Sequence, residues 1–269
     1  MTTQIPIFQV DAFTDRPFGG NPAAVCPLES WLPDDLLQKI ALENHLSETA
    51  FLLPKQEDFE LRWFTPAVEV DLCGHATLAA AWVVFEKLTE GRSEVRFHTR
   101  KSGTLTVTRD GSRLVLDFPS RPPSPREGDL DAVAEALGAR PTALLESRDW
   151  VAVFERESDV AALAPDMQRV TDLGCFAIIA TAPGTDADFV SRFFGPRAGV
   201  PEDPVTGSAH STLIPYWAKR LGKSDLFARQ ISARGGELHC TDRGDRVSIA
   251  GDAVLVLEGT FLLDGVAGS

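Results

Sequence analysis

Motifs that accompany nucleotide or metal chemistry are missing from this chain of 269 residues. It has no GxGxxG after a predicted strand, no GxxxxGKS/T, no HExxH and no GxSxG. Two close pairs of aspartates do not continue as calcium-binding loops, because Ala134 and Ser191 stand where the turn glycine would be. The sequence therefore predicts no dinucleotide, nucleoside triphosphate or metal ion.

Cysteine is scarce and widely spaced. The four residues, Cys26, Cys73, Cys175 and Cys240, form no CxxC and no Cys/His ligand spacing, so we expect neither a disulfide framework nor a zinc site. The first residues, MTTQIP, lack the basic start and apolar core of a signal peptide. The longest nearly apolar run, 76–85, is too short to span a bilayer. These absences predict a cytoplasmic protein with reduced thiols and no membrane contact.

Positive charge is in deficit, with a formal net charge of -13. Nucleic acids and anionic membranes need clustered Lys and Arg, so neither is an expected partner. A small anionic ligand stays open, because a local site can override the field of the whole chain. The hydrophobic content of 43% is that of a globular protein, and the length suffices for two domains.

The most informative feature that is present is an internal duplication. The recurring segments are RWFTP (62–66) and DLCGHATL (71–78) in the first copy, and RFFGP (192–196) and DPVTGSAHSTL (203–213) in the second. A predicted hairpin follows each copy, so that Gly103 to Arg113 have counterparts at Gly236 to Arg246. Such self-similarity predicts two similar lobes, each with a glycine loop that opens a helix. Two such loops facing each other would make one site.

The coarse secondary structure agrees with two lobes. Alternating strands are predicted over 95–97, 104–108 and 114–118, and helices buried on nearly all sides over 75–88 and 208–221. Since strands and helices do not alternate regularly, a doubly wound parallel sheet is disfavoured. The Pro- and charge-rich segment 119–128 is the best linker. We predict an N-terminal lobe, 1–118, to which the last strand, 254–269, can return, and a C-terminal lobe, 119–269.

Both glycine loops are candidate anion sites. Gly74 and Gly207 each stand where a helix is predicted to begin, after Cys73 and Thr206 respectively. Free N–H groups at a helix start bind carboxylates and phosphates, and glycine has no Cβ to block the approach. The alternative for each copy is a simple N-cap turn.

Three ionisable residues are candidates for proton transfer. Glu48 lies in HLSETAF (45–51), between a helix end and an apolar strand, where a carboxylate holds a proton more readily than in water. Asp203 precedes the second glycine loop, and His75 lies within the first, with His210 as its rough counterpart. The structural alternatives are a surface or capping role for Glu48, a turn aspartate at 203, and satisfied structural histidines.

Four long segments resemble the PhzF-like family of phenazine-biosynthesis isomerases: QVDAFTDRPFGGNPAAV (9–25), LSETAFLLP (46–54), RWFTPAVEVDLCGHATLAAAW (62–82) and RFFGPRAGVPEDPVTGSAHSTLIPYW (192–217). The wider group resembles diaminopimelate epimerase and proline racemase. The resemblance implies an α+β fold of two pseudo-symmetric lobes. Each lobe is a curved, mostly antiparallel sheet around a buried central helix, with the active site between the lobes. It also implies a homodimer.

The resemblance also implies roles for single residues. The family's proton-shuttling glutamate matches Glu48, and its histidine, acid and serine match His75, Asp203 and Ser208.

Three glycines, an asparagine and a threonine complete the implied binding site. Gly74 and Gly207 would hold a substrate carboxylate on neighbouring N–H groups, with Thr206 beside them, and Gly20 and Asn21 border the pocket.

Cys73 and Thr206 bear on the type of reaction. The racemase relatives use a cysteine from each lobe as two bases, whereas this sequence pairs Cys73 with Thr206. A threonine hydroxyl does not act as a base near neutral pH, so two-base racemisation is disfavoured and Cys73 is interpreted as a packing residue.

The resulting expectation is a cofactor-independent isomerase. It would move a proton between carbons of a small carboxylic acid by acid/base catalysis in the cleft between the lobes. The alternatives are an epimerase or racemase acting on one carbon of an amino or hydroxy acid, and a non-catalytic metabolite-binding homologue.

Overall fold

The fold is described from a computed structural model that covers residues 3–89 and 91–263. The chain divides into unit 1, Met1–Asp117 with Gly251–Ser269, and unit 2, Phe118–Ala250. The last strand, predicted over 254–269, is present as Ala253–Leu263 in unit 1, and 264–269 lie outside the described residues.

The elements in chain order are eighteen strands and six α-helices over the described residues. The strands are β1 Thr3–Ala12, β2 Asn21–Pro27, β3 Glu48–Lys55, β4 Asp58–Phe64, β5 Glu69–Val70, β6 Glu94–Thr99, β7 Thr104–Asp110, β8 Arg113–Pro119, β9 Ser124–Pro125, β10 Ala143–Glu146, β11 Trp150–Val153, β12 Ile178–Pro183, β13 Phe189–Gly195, β14 Val200–Asp203, β15 Asp225–Gln230, β16 Gly236–Asp242, β17 Arg246–Gly251 and β18 Ala253–Leu263. The helices are α1 Asp34–Asn44, α2 Gly74–Val83, α3 Leu130–Leu137, α4 Glu157–Ala161, α5 Met167–Asp172 and α6 Gly207–Leu221. A π-helical turn, Val84–Leu88, continues α2, and a 3-10 turn, Pro196–Ala198, precedes β14.

Unit 1 is a mixed sheet in the order β18-β1-β2-β3-β4-β6-β7-β8. Its parallel pairs are β2 with β3 and β4 with β6, while the other neighbours are antiparallel, and β5 adds to β4. A mostly antiparallel sheet with few helices confirms the predicted α+β class.

Unit 2 repeats this connectivity in the order β9-β10-β11-β12-β13-β15-β16-β17. The parallel pairs are β11 with β12 and β13 with β15, and the short strand β14 adds to β13 as β5 adds to β4. Equivalent strands of the two units pair in the same parallel or antiparallel direction. The duplicated sequence therefore corresponds to a duplicated topology.

Helix α2 forms part of the core of unit 1. Nine of its ten residues are buried, all but Trp82, and it packs against β1, β2 and β3. Five of the ten residues are alanine or glycine, so the surrounding strands can approach closely. The burial of this helix on nearly all sides is confirmed.

Helix α6 contains Pro215 well beyond its first turn. A proline has no N–H, so the carbonyl of Ser211 loses its helical partner. The backbone N–H of Arg121 donates to that carbonyl at 2.8 Å. The start of unit 2 thus compensates the hydrogen bond that the proline removes.

One arginine in each unit holds a carboxylate in the same way. Arg62 donates from Nε and Nη2 to Glu69 at 2.7 and 2.8 Å, and Arg192 donates likewise to Glu202 at 2.7 and 2.9 Å. Each guanidinium also lies over a phenylalanine ring, 4.9 Å from its centre. Paired hydrogen bonds of this kind are strong, so these arginines are structural residues of the duplicated motif.

All four cysteines are buried and unbridged. Over 3–89 and 91–263, the structure contains no helix that combines the length and the apolar character needed to span a bilayer.

Replacing Arg62 by lysine tests the paired hydrogen bonds. Arg62→Lys keeps the charge but loses the fork on Glu69, so we expect the free energy of unfolding to fall by about 1–3 kcal/mol. Lys39→Ala is the control, because the Lys39–Asp35 pair is exposed and contributes at most about 0.5 kcal/mol. Urea denaturation measures both, and equal small losses would show that the fork adds nothing to stability.

Candidate active site

Glu48 is the first residue of β3 and pairs with Ala23 of the parallel strand β2. Its side chain is 14% exposed, and its Oε2 lies 3.1 Å from Nε2 of His75. The two atoms are within ion-pair distance, yet Oε2 is buried and has no hydrogen bond of favourable geometry among the described residues. The imidazole of His75 is therefore the group that faces this buried carboxyl oxygen.

His75 is the second residue of α2, and its side chain is only 4% exposed. The amide of Asn21 lies 3.0 Å from Nδ1 on the side of the ring opposite Glu48. A neutral ring would accept from the amide N–H at this position, and a protonated ring would donate to the amide oxygen after a flip of the group. In either state Asn21 holds the imidazole so that Nε2 points to the carboxylate.

Burial and charge act in opposite directions on this histidine. Burial disfavours the charged ring, but Cys73 and Glu48 favour it more strongly, so the pKa of His75 lies well above its usual value. Burial and the nearby Glu48 raise the pKa of the Cys73 thiol to about 11. The imidazole of raised pKa thus lies between the Glu48 carboxyl group and the thiol, whose Sγ is 3.5 Å from Nδ1.

The same three side chains could also bind a cation. One ligand atom from each of Glu48, Cys73 and His75 lies within 4.8 Å of the others, a spacing that a divalent ion can bridge. An ion would have to displace the thiol proton and separate the Glu48–His75 pair.

Gly20 is required by the geometry of the loop before β2. Its φ is +57°, and a Cβ would meet the carbonyl oxygen of Ala12 at 2.1 Å. Only glycine fits such a close approach in the left-handed region. The tight turn places Asn21 at the beginning of β2, where its amide reaches His75.

In unit 2, Asp203 ends β14 and Thr206 precedes α6. The Thr206 hydroxyl donates to Oδ2 of Asp203 at 2.5 Å, and both residues are buried. Gly207 and Ser208 are the first two residues of α6. Neither α2 nor α6 has a side-chain cap or an acid in its first turn, so both helix starts keep the positive end of the helix dipole uncompensated by a side chain.

Gln230, at the end of β15, is a residue that the sequence did not single out. Its Nε2 donates to the carbonyl of Asp203 at 2.7 Å and to Oγ1 of Thr206 at 3.1 Å, and its Oε1 accepts from the Thr206 N–H at 2.8 Å. One buried amide thus holds the whole loop before α6. The duplication carried no signal for it, because the matching strand β6 ends in Thr99.

The two units differ in the residues around the helix starts. Thr206 takes the place of Cys73, and Ser208 the place of His75, relative to the helix starts. Ile178 begins β12 and pairs with β11 as Glu48 begins β3 and pairs with β2. The carboxylate–imidazole pair is therefore present in unit 1 and absent at the equivalent positions of unit 2.

His210 is not the counterpart of His75, contrary to the sequence interpretation. Its Nδ1 donates to the carbonyl of Thr206 at 2.8 Å, as the Thr77 hydroxyl donates to that of Cys73 at 2.5 Å. Burial lowers the pKa of His210 to about 4, so the ring is neutral. It is a structural residue that supports the helix start. Its separation of four residues from Thr206, one helical turn, was the sequence signal for that role.

Comparison with known proteins identifies the relatives of this chain. A family model described as phenazine biosynthesis-like protein matches residues 10–259. An uncharacterised isomerase of Pseudomonas aeruginosa is 54% identical over 260 residues, which cover 97% of this chain and 100% of the relative. The crystal structure of a PhzF-family phenazine biosynthesis protein from Enterococcus faecalis matches with a TM-score of 0.94 at 44% identity, over 97% of this chain and 100% of that one.

A more distant structure extends the likeness of fold alone. A hydroxyproline epimerase of Agrobacterium vitis, solved with bound trans-4-OH-L-proline, matches with a TM-score of 0.64 at 12% identity. The match covers 98% of this chain and 94% of the epimerase. This agrees with the epimerase-like fold expected from the sequence.

Removing the amide of Gln230 tests its hold on the loop before α6. Gln230→Leu leaves the buried N–H of Thr206 and the carbonyl of Asp203 without this partner, so we expect the free energy of unfolding to fall by about 1–3 kcal/mol. Gln168→Ala, which removes an exposed bond to Asp172, should change it by less than about 0.5 kcal/mol. Thermal or urea unfolding gives both values. Wild-type stability in Gln230→Leu would contradict the assigned role.

Proposed function

This chain belongs to the phenazine biosynthesis-like family and is a small-molecule isomerase, and we propose that it moves a proton between two carbons of a small carboxylic acid without a cofactor. The observation that carries the proposal is the contact of 3.1 Å between Glu48 and His75, in which a buried carboxylate oxygen is free of other hydrogen bonds among the described residues. Glu48 is the group that removes the proton.

The first step needs a base close to a cation. Glu48 takes a proton from a carbon activated by the substrate's own carboxylate or by conjugation to it. Negative charge then develops on the substrate. The imidazolium of His75, which lies beside the base, stabilises that charge. A positioned acid or base of this kind contributes about 10²–10⁴ in rate.

The anion of the substrate needs donors of its own. The N–H groups at the start of α2, beside Gly74 and His75, are not capped by a side chain and lie next to the proposed base. We propose that the start of α6, with Gly207 and Ser208, binds the same substrate. The uncapped first turn of α6 supports this assignment.

Return of the proton completes the isomerisation. Either Glu48 delivers it to a second carbon, or Asp203 delivers a different proton there. Asp203 is held beside Thr206 and Gln230, which fixes its position. A buried and fixed carboxyl group is suited to such a transfer.

The homodimer expected from the sequence stays a prediction.

One observation favours a second candidate, an epimerase that acts on a single carbon. The thiol of Cys73 lies 3.5 Å from Nδ1 of His75, and a thiol beside an imidazole can become a base by giving up its proton. Two arguments weigh against it. The pKa of Cys73, about 11, keeps the thiol protonated near neutral pH, and unit 2 has Thr206 at the equivalent position.

Glu48→Gln tests the proposed base. The variant keeps the shape of the side chain but cannot accept the proton, so incorporation of solvent deuterium into substrate should fall at least ~10³-fold, about 4 kcal/mol of barrier. The assay screens small unsaturated and amino-substituted carboxylic acids in deuterium oxide by mass spectrometry.

Cys73→Ala is the matched variant for that experiment, and its exchange should stay within about tenfold of wild type, because it removes only a protonated thiol. If Cys73→Ala were folded and inactive while Glu48→Gln still exchanged, the epimerase candidate would replace the proposal.

Asp203→Asn tests the contribution of unit 2. The amide can still accept from Thr206, so the loop should stay in place while the ionisable group is lost. We expect product formation to fall about 10²-fold or more. Deuterium exchange at the first carbon, which depends on Glu48, should fall much less. Unchanged product formation would assign both proton transfers to Glu48.

A further inference from the structure

A cleft in unit 1 is lined by none of the residues of the candidate active site. Its volume is about 660 Å³, within the usual range of small-molecule sites. Five of its ten lining residues are apolar, and they are Pro27, Leu52, Pro54, Phe59 and Leu88. Leu52 and Phe59 are buried, whereas Leu88 is 39% exposed. The cleft therefore offers an apolar floor and wall to a molecule that arrives from solvent.

The charged residues of the lining are two acids and one base. Arg92 donates from Nη2 to Oδ1 of Asp58 at 2.9 Å, and from Nη1 to the carbonyl of Glu57. Arg96, outside the lining, lies between Asp58 and Glu94, at 3.4 and 4.0 Å. The exposed carboxylate of Glu57 has no ion pair among the described residues. The charge left at the rim is thus negative, as is the net charge of the whole chain, -13.

Two strands reach from the candidate active site to the cleft. β2 begins with Asn21 and ends with Pro27, which pairs with Leu52 of β3. β3 itself begins with Glu48. Side chains separated by an even number of residues lie on the same face of a strand, so these four residues share one face of the sheet. The distance from Glu48 to Leu52 along the strand is about 13 Å.

Helix α2 makes a second connection between the two places. His75 is its second residue, and the helix continues into the π-helical turn that ends with Leu88, about 20 Å further along. Single π-helical turns are rare and are frequent at functional sites. Nine of the ten residues of α2 are buried, so a displacement of its end is transmitted through close packing.

We propose that this cleft is an effector site, which binds small organic amines with an apolar body and thereby alters the Glu48–His75 contact. The apolar floor takes the body of the ligand, and the carboxylate of Glu57 takes the ammonium group. The net negative charge of the lining discriminates against anions. A ligand seated against Leu88 and Leu52 shifts the ends of α2 and β3 that are remote from the candidate active site. The beginnings of the same two elements hold the imidazole and the carboxylate.

Calorimetric titration of the whole chain with benzylamine, benzyl alcohol and benzoate tests the ligand class. The three probes share one ring and differ in the charge of the head group. We expect benzylamine to bind most tightly, and benzoate to bind at least about tenfold more weakly.

Two variants locate the bound amine. Leu88→Ala removes part of the apolar wall and should weaken benzylamine and benzyl alcohol alike, about threefold or more. Glu57→Gln should weaken benzylamine about twofold to fivefold and leave benzyl alcohol unchanged. Leu42→Ala and Glu43→Gln, which change exposed residues of α1, are the matched controls and should leave both affinities unchanged.

The imidazole NMR resonances of His75 report on the coupling to the candidate active site. His75→Gln assigns them, because one set of signals disappears in that variant. Benzylamine should shift these resonances with the dissociation constant that calorimetry gives. Leu88→Ala should weaken both measurements by the same factor.

Four results would overturn the inference. The first is benzylamine that binds no more tightly than benzoate, and the second is binding that leaves the His75 resonances unchanged. The third is a His75 shift with wild-type affinity in Leu88→Ala, which would place the amine at Glu48. The fourth is a change of association state in Leu88→Ala, by analytical ultracentrifugation, with amine binding unchanged, which would assign the cleft to an interface with a second copy. None of these measurements requires turnover, so they are independent of the proposed reaction.

Discussion

The parallel pairing of β2 with β3 is the constraint on which the candidate active site depends. Parallel strands begin at the same edge of a sheet, and here Asn21 begins one strand and Glu48 the other, with Ala23 opposite Glu48. Helix α2 packs against both strands, so its start brings His75 between the amide and the carboxylate. A register shift of one residue would turn Glu48 to the other face of the sheet and remove the contact with His75.

The duplication shows how one topology carries two different kinds of loop. Three features recur in both units. They are the paired arginine–glutamate hydrogen bonds, the glycine at the start of the helix, and a side chain that donates to the carbonyl of the residue before that helix. The Glu48–His75 pair does not recur, since Ile178 and Ser208 stand where unit 1 has Glu48 and His75. The packing that builds a helix start has been kept, while the ionisable groups around it have diverged. Such asymmetry suits a reaction in which one base does the main work.

Much of the fold was predictable from residue patterns. Alternating strands, two apolar helices and repeated glycines indicated two similar α+β lobes, because periodicity and turn residues are local properties of the chain. The short helices α4 and α5 were not predicted, since segments of five or six residues carry little periodic signal. The pairing of His210 with His75 was wrong because His75 follows the first glycine of its helix by one residue and His210 follows its glycine by three. Thr77, not His75, shares the place of His210, and each donates to the carbonyl of the residue that precedes its helix, Cys73 and Thr206 respectively.

By itself the sequence determined the duplication, the candidate residues Glu48, His75 and Asp203, and the absence of nucleotide-binding motifs, because each of these is a matter of residue type and spacing. Only the tertiary structure decided which of those residues meet and in what state. Three features depend on segments far apart in the chain. They are the Glu48–His75 contact, the burial that keeps the Cys73 thiol protonated, and the hydrogen bond between Thr206 and Gln230. Distances, burial and the resulting charges arise from strand register and packing, which no local pattern encodes.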